Sequence, residues 1–170
     1  MSTADASRAA LRADGETILR KAIRAVLPDG AVRRALAGVQ FPGRVFLVAA
    51  GKAAWQMASV AREVLPTLAG GVVVTKYGHA KGPIDGVACY EGAHPVPDEN
   101  GLRGTEAALA LTEGLRADDT VLFLLSGGGS ALFESPLVPA EEMADVTKQL
   151  LACGADIVEM NTLRKRAAAS

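Results

Sequence analysis

Short aliphatic runs alternate with helical patterns along most of the chain. The strongest runs cover residues 45–49, 71–75 and 121–125, with a weaker one at residues 87–90. They do not alternate with polar residues, which is typical of strands covered on both faces. Apolar residues recur at helical spacing between these runs. This order of strand, helix and strand predicts an α/β fold, with a Rossmann-like parallel sheet and helices on both faces.

The two ends of the chain also have helical patterns. Apolar residues recur at helical spacing from about residue 5 to residue 27, and Pro28 is expected to end that run. After the last aliphatic run, Pro139 precedes a helix that Gly154 is suited to cap, and a final helix is expected from Asp156. Because no linker rich in Pro, Gly and Ser interrupts the chain, no domain boundary is predicted within residues 1–170.

Composition excludes several classes of protein. With 170 residues, 49% of them hydrophobic and 22% charged, the chain has the composition of a globular domain. Its net charge of −1 gives no global basic field for nucleic acid or for an anionic membrane surface. Any anion site must therefore be local.

The sequence also gives expectations for location and for the two cysteines. No segment approaches the roughly 18 apolar residues of a membrane span, and the amino terminus lacks the apolar run of a signal peptide, so a cytoplasmic protein is expected. Cys89 and Cys153 lie far apart, outside any Cys/His cluster, which favours neither a disulfide nor a metal site. Both are predicted to be buried as small apolar groups.

The residues that follow the strands are the first place to look for a site, because ligands of an open parallel sheet bind beyond the carboxyl ends of its strands. The most distinctive segment follows the fourth strand and reads Ser126, Gly127, Gly128, Gly129, Ser130. Glycines let backbone N–H groups approach an anion, and a helix is expected to follow. A phosphate or carboxylate cradle is the favoured interpretation. The alternatives are a tight turn without a ligand and, less favoured because GxSxG is absent, a nucleophilic serine.

Lys52 and the two histidines lie at the same predicted edge. Lys52 follows the first strand just before a helix, where a bound anion would stabilise its charge, and the alternative is a solvated surface lysine. His79 and His94 are candidates for a general base or for orienting a carboxylate, and the alternative is a hydrogen bond that orders a loop. Asp98 and Glu99 are interpreted as a turn with a helix N-cap rather than as metal ligands.

Five blocks carry a resemblance to a known family. They are VAAGKAA (residues 48–54), VVTKYGHA (73–80), HPVPDE (94–99), LSGGGSAL (125–132) and LLACGADIVEMNTLRK (150–165). In this order they closely resemble the glycerate kinases of the two-domain bacterial and archaeal type, whose second domain is called MOFRL. Some members of that family are labelled hydroxypyruvate reductase.

The resemblance implies ATP-dependent phosphorylation of glycerate, usually to 2-phosphoglycerate, with Mg²⁺ held by ligands outside this chain. It implies that residues 1–170 are the amino-terminal part of an incomplete Rossmann-like domain, that the MOFRL domain is absent, and that this chain alone is inactive. It implies that Lys52 is the charged group at the reacting phosphate and that residues 126–130 form the anion cradle. It also places Asn161 and Arg164 in a helix leading toward the cleft, with Arg164 as an anion ligand. The alternative for that helix is a solvated face.

The chain departs from the family after Lys165, where members usually continue with His-Leu-Ser and this chain has Arg166 and alanines. Two other functions stay open. One is hydride transfer to hydroxypyruvate with NAD(P), which is weakened because GxGxxG is missing after the first strand and no acidic residue stands at Thr75 to Tyr77. The other is a non-catalytic module that binds an anion or a partner chain, or associates with itself.

Overall fold

The computed structural model describes residues 3–168 and contains a four-stranded parallel sheet flanked by helices. The strands are β1 (Val45–Ala50), β2 (Gly70–Lys76), β3 (Val87–Gly92) and β4 (Thr120–Leu125). The helices are α1 (Thr3–Val26), α2 (Pro28–Leu36), α3 (Ala54–Val64), α4 (Glu99–Leu111), α5 (Gly129–Leu132), α6 (Ala140–Ala152) and α7 (Ile157–Ala167).

The strands lie in the order β3-β2-β1-β4, and every neighbouring pair is parallel. The chain adds β2 and β3 on one side of β1 and then returns to place β4 on the other side. The order therefore reverses between β1 and β4, as it does after the first three strands of the usual Rossmann order. The predicted fold class is confirmed.

Each face of the sheet has its own apolar core, because side chains alternate along a strand. On one face Leu47 and Ala49 pack with α2 and α3, in a cluster that includes the buried Ala58 and Ala61. On the other face Val48 of β1 packs with residues of β2, α4 and α5. The prediction of helices on both faces is confirmed.

Strand β4 is less buried than predicted, since the sequence indicated strands covered on both faces. Phe123 and Leu125 are 46% and 61% exposed. The ring of Phe133 meets that of Phe123 edge-on at 5.5 Å between centroids. In the described residues β4 is an edge strand, and the face that carries Phe123 and Leu125 is only partly covered. Leu122 and Leu124, on the opposite face, pack against the cluster formed with α2 and α3.

The amino-terminal pattern forms helices on both sides of Pro28. Pro28 ends the first run, as expected, but it also occupies the first turn of α2, a position that suits its fixed φ and missing N–H. The apolar stripe of α1 has no cover from the described residues. Its exposed side chains are Leu11, Ile18, Leu19, Ile23 and Val26.

The carboxyl-terminal helices form as predicted. Gly154 follows α6 with φ of +75°, and the side chain of Asp156 caps α7 by accepting hydrogen bonds from the N–H groups of Val158 and Glu159. The prediction that Cys89 and Cys153 are buried is wrong, since both are exposed. Cys89 lies on the edge strand β3 and Cys153 at the end of α6. None of the helices described is both long and apolar enough to cross a membrane.

Candidate functional site

The loops that follow β1 and β4 are joined directly to each other at the carboxyl end of the sheet. Ser126 N–H donates to Ala50 O at 2.9 Å, Lys52 N–H donates to Gly127 O at 3.0 Å, and Ala53 N–H donates to Ser126 Oγ at 3.0 Å. This contact lies where the strand order reverses, which is the usual position of a ligand crevice in an open α/β sheet.

Gly51 allows this close approach. Its φ is +110°, and a Cβ built on it would lie 2.4 Å from both the carbonyl oxygen and Oγ of Ser126. Thr75 Oγ1, buried at the end of β2, donates to Gly51 O at 2.9 Å and fixes the same loop from the other side. Only glycine fits at residue 51 without separating the loops.

The glycine-rich loop offers two backbone donors. Gly129 N–H donates to Ser126 O at 3.2 Å and so closes the turn. Within residues 3–168, the N–H groups of Gly127 and Gly128 have no protein acceptor. Gly129 N–H is thus used within the turn, which leaves the N–H groups of Gly127 and Gly128 as the candidate donors to a ligand. The following α5 has only four residues, so an anion at this loop would be attracted by these local N–H groups rather than by the dipole of a long helix.

The side chains of Lys52 and His94 meet at Gly128. A Cβ on Gly128, whose φ is +88°, would lie 2.9 Å from Lys52 Cε and 3.0 Å from His94 Cδ2 and Nε2. Lys52 is exposed, and the described residues place no carboxylate within ion-pair distance of it. It also borders an open cavity of about 360 Å³ together with His79 and Lys81. Gly128, Lys52 and His94 thus lie together, and no carboxylate of the described residues pairs with the lysine.

His94 lies in a cationic environment. Burial lowers its pKa, and the charges of Lys52, Lys76 and Arg164 lower it further. Because its pKa falls below the usual 6.5, the imidazole is neutral at pH 7 and keeps an acceptor nitrogen.

His79 has a different environment. Its ring Nδ1 lies 2.8 Å from Lys52 O, and its backbone N–H donates to Glu91 Oε1 at 3.0 Å. Glu91 Oε1 also accepts from Ala80 N–H at 2.9 Å. These contacts order the loop after β2 against Lys52, as the alternative interpretation of His79 expected. Its role as a base or a ligand stays a prediction.

Asp98 forms the N-cap that its sequence context predicted. Its Oδ1 accepts from Gly101 N–H at 3.0 Å and its Oδ2 accepts from Tyr77 OH at 2.7 Å. Burial opposes its ionisation, but the hydrogen bonds from Tyr77 and from the backbone of Gly101 and Ala93 outweigh burial and lower its pKa. In the described part of the chain, no group of three His, Cys, Asp or Glu side chains is arranged to hold a metal ion.

Arg164 is buried and forms an ion pair with the carboxylate of Glu134. Its Nη2 donates to Glu134 Oε2 at 2.8 Å and to Ser130 O at 2.8 Å, while Nε donates to Glu134 Oε1 at 3.3 Å. The solvated-face alternative is therefore wrong for Arg164, because its guanidinium reaches inward to the glycine-rich loop. Asn161 is half-buried beside a cavity of about 470 Å³ that Arg164, Glu134 and Ser130 also line.

The two serine hydroxyls do not resemble activated nucleophiles. Ser126 Oγ donates to Ala50 O at 3.2 Å and accepts from Ala53 N–H, which makes it a bridge between loops. In residues 3–168 no histidine or carboxylate is hydrogen-bonded to Ser126 or Ser130.

Sequence reasoning missed several residues that organise the site. Thr75, Tyr77, Glu91 and Glu134 fix the loops through contacts between residues 11 to 30 positions apart. No spacing rule identifies such pairs. Position along the chain gave a partial signal for two of them, because Thr75 and Tyr77 lie at the carboxyl end of a predicted strand.

Comparison with known proteins gives one family model, described as "Domain of unknown function (DUF4147)", which matches residues 14–170. A D-glycerate 2-kinase of Thermotoga maritima is 55% identical over 151 residues, covering 87% of this chain and 36% of that protein. A putative hydroxypyruvate reductase of Agrobacterium vitis is 43% identical over 130 residues, covering 75% of this chain and 30% of that protein.

A crystal structure of glycerate kinase from Thermotoga maritima has the same fold. It superposes with a TM-score of 0.82 at 51% identity, covering 94% of this chain and 39% of that one. The chain thus spans between 30% and 39% of the length of these relatives.

Proposed function

Because the chain belongs to the DUF4147 family, whose relatives over this region are named glycerate kinase and in some cases hydroxypyruvate reductase, we propose that the protein phosphorylates glycerate with ATP. The product expected is 2-phosphoglycerate. The chain forms part of the cleft in which this transfer takes place, and Lys52, His94 and the glycine-rich loop contact the reacting groups.

One observation carries the proposal. Within residues 3–168, the backbone N–H groups of Gly127 and Gly128 have no protein acceptor, and they lie beside the Lys52 cation, which has no ion-pair partner there, at the point where the strand order reverses. Unpaired donors next to an unpaired cation form a site that is complementary to a phosphate or a carboxylate. Phosphoryl transfer is catalysed mainly by positioning and by such electrostatic stabilisation, because the charge is spread over the phosphoryl oxygens.

The side chains then take distinct roles. Lys52 stabilises the charge that develops on the transferring phosphoryl group. His94, held neutral, accepts a hydrogen bond or a proton from the attacking hydroxyl of glycerate. Gly127 and Gly128 supply N–H groups to an anionic oxygen of the substrate or of ATP. His79 orders a loop and Asn161 lies beside the larger cavity. Both stay candidates for binding, with no substrate atom assigned to either.

Mg²⁺ is expected with ATP, since metal ions neutralise the phosphates in this class of reaction. The described residues do not fit a metal site. No acidic cluster is present among them, and both carboxylate oxygens of Asp98 already accept hydrogen bonds. No step attributed to this chain depends on the metal.

Hydride transfer from NAD(P)H is a weaker candidate for the same crevice. A dinucleotide site of the Rossmann type that binds NAD uses an acidic residue near the end of β2 to bind a ribose. Here Thr75 donates to Gly51 O, and Lys76 follows it. Neither side chain offers the paired acceptor oxygens of a carboxylate, because the Lys76 ammonium has no acceptor and the Thr75 hydroxyl is fully buried.

A pair of coupled assays on the whole protein tests the proposal. One follows formation of ADP from ATP with D-glycerate, and the other follows oxidation of NADH or NADPH with hydroxypyruvate. We expect turnover in the first assay and none above background in the second. Turnover only in the second would overturn the proposed function, and turnover in neither would favour a binding module.

A further inference from the structure

A buried ion pair is hydrogen-bonded to the last residue of the glycine-rich loop, Ser130. The side chains of Arg164 on α7 and Glu134 after α5 are only 8% and 7% exposed and lie 2.8 Å apart. The same Nη2 atom of Arg164 also donates to the carbonyl oxygen of Ser130 at 2.8 Å. One guanidinium therefore joins a carboxylate to the backbone of the loop, next to the glycines.

The carbonyl of Ser130 belongs to a helix so short that this carbonyl has no hydrogen-bond partner within it. Helix α5 covers Gly129–Leu132, and its last turn is closed by Phe133 N–H donating to Gly129 O at 2.7 Å. The last carbonyls of a helix have no partner within it. In this turn Arg164 supplies a partner from a different part of the chain.

The pair is itself anchored on α4. Glu134 N–H donates to Thr105 Oγ1 at 3.2 Å, and Thr105 Oγ1 donates to Gly101 O at 3.2 Å. Thr105 is 3% exposed. Arg164 thus links α7, the glycine-rich loop and α4 through groups that have little freedom to move.

Stability alone does not account for this arrangement. Taking two charges out of water costs free energy, and replacing a buried ion pair by apolar side chains is often neutral or stabilising. What an apolar pair cannot do is donate a hydrogen bond to Ser130 O. We propose that Arg164 and Glu134 are positioning residues, which fix Ser130 so that the N–H groups of Gly127 and Gly128 keep the geometry that receives an anion. This inference rests on the proposed function of the loop.

This proposal differs from direct binding of the anion by Arg164. If Arg164 were a ligand, Glu134 would compete for it, and Glu134→Gln would leave anion affinity unchanged or raise it. If Arg164 positions the loop, Glu134→Gln weakens its hold on Arg164 and lowers the affinity. A fall in anion affinity in Glu134→Gln therefore separates the positioning role from direct binding.

The experiment uses four variants of the whole protein: Glu134→Gln, Arg164→Lys, the double variant Arg164→Met with Glu134→Met, and the control Arg44→Met. Arg44 also pairs with a carboxylate, Asp119, but beside the amino ends of β1 and β4, away from the loop. Hydrogen exchange of the amides of residues 126–132 is measured first, because it does not require activity. Sulfate affinity, thermal unfolding and the kcat and KM for ATP follow.

We expect amide exchange in the loop to rise on the order of tenfold or more in the double variant, while its unfolding temperature stays near that of the wild type. Sulfate affinity should fall, and KM for ATP should rise together with a lower kcat. Arg164→Lys should recover part of the loss, since it keeps the charge and one donor. Arg44→Met should change the unfolding temperature without changing loop exchange or sulfate affinity.

Wild-type loop exchange in a folded double variant would overturn the inference, and so would unchanged or higher sulfate affinity in Glu134→Gln. If the double variant does not fold, the two single variants decide by the same measurements. A wild-type protein that does not phosphorylate glycerate would refute the proposed function instead, while exchange and sulfate binding would still test the positioning role.

Discussion

Gly51 lies so close to Ser126 that a Cβ at residue 51 would stand 2.4 Å from both the carbonyl oxygen and the hydroxyl oxygen of Ser126. The loops after β1 and β4 are therefore packed backbone against backbone. The geometry of the crevice depends on that contact, because Lys52 and Gly127 are the next residues along each loop and are hydrogen-bonded to each other.

Gly51→Ala should separate the two loops. We expect a loss in the free energy of unfolding of at least about 2 kcal/mol, since a positive φ and a backbone clash are both imposed. Urea denaturation measures it. Gly78→Ala is the matched control, because Gly78 also has a positive φ of +76° but would meet no atom within 4 Å. Equal losses in the two variants would show that the contact with Ser126 contributes nothing beyond the backbone conformation.

Gly128→Val should weaken anion binding. A side chain there requires an unfavourable φ and displaces Lys52 and His94, so we expect ATP affinity to fall about tenfold or more, which corresponds to about 1.4 kcal/mol. Isothermal titration of the whole protein measures the affinity. Gly114→Val tests the cost of a positive φ alone, because Gly114 has φ of +65° with no atom within 4 Å. A Gly128→Val protein that keeps wild-type ATP affinity would contradict the cradle.

Lys52→Ala should lower kcat and kcat/KM by a similar factor, on the order of 100-fold, with little change in KM, since its charge matters most in the transition state. Lys52→Arg should recover only part of the rate, because the guanidinium is larger and directs its donors differently. Steady-state kinetics with glycerate and ATP measures both variants, with circular dichroism as the check on folding.

Lys81→Ala provides the control for Lys52. Lys81 borders the same cavity, but its ammonium lies 6.0 Å from the ring centre of Trp55 and 3.3 Å from Gln56 Oε1. Its removal should leave kcat within about twofold of the wild type. A folded Lys52→Ala enzyme with near wild-type kcat would mean that Lys52 is an ordinary surface lysine.

His94 should titrate below pH 6.5 in the free protein, and its pKa should rise when sulfate binds. Burial and the charges of Lys52, Lys76 and Arg164 disfavour the imidazolium, and a bound anion reverses part of that effect. Because the unfolded state takes up the proton first as pH falls, His94 makes the protein less stable as the pH drops below about 6.5 and has no effect above it.

Nuclear magnetic resonance of the histidine Cε1–H signals measures the titration. The His94 signal is assigned by its loss in His94→Asn, and His79, which is hydrogen-bonded to Lys52 O, is the internal comparison. A His94 pKa at or above the ordinary value without any anion would contradict the cationic environment.

Local sequence patterns were sufficient to predict the fold class and the edge of the sheet at which the candidate site lies. Continuous aliphatic runs can be buried only in a covered sheet, and helical patterns between them require parallel connections. Both are local signals, and they placed Lys52, His94 and the glycine-rich loop at the carboxyl ends of the strands. Local chemistry also identified Asp98 as an N-cap, which accepts from Gly101 only three residues away.

Which of these residues come into contact follows from the packing of the whole chain. Strand order is set by packing of the whole sheet, so no local pattern shows that β4 lies beside β1 and brings Ser126 against Gly51. Burial of a charge likewise depends on a partner far along the chain. From the sequence, Arg164 was interpreted as a ligand or as a solvated residue. Helical spacing relates only residues three or four positions apart, so it could not identify Glu134, 30 positions away, as the partner of Arg164.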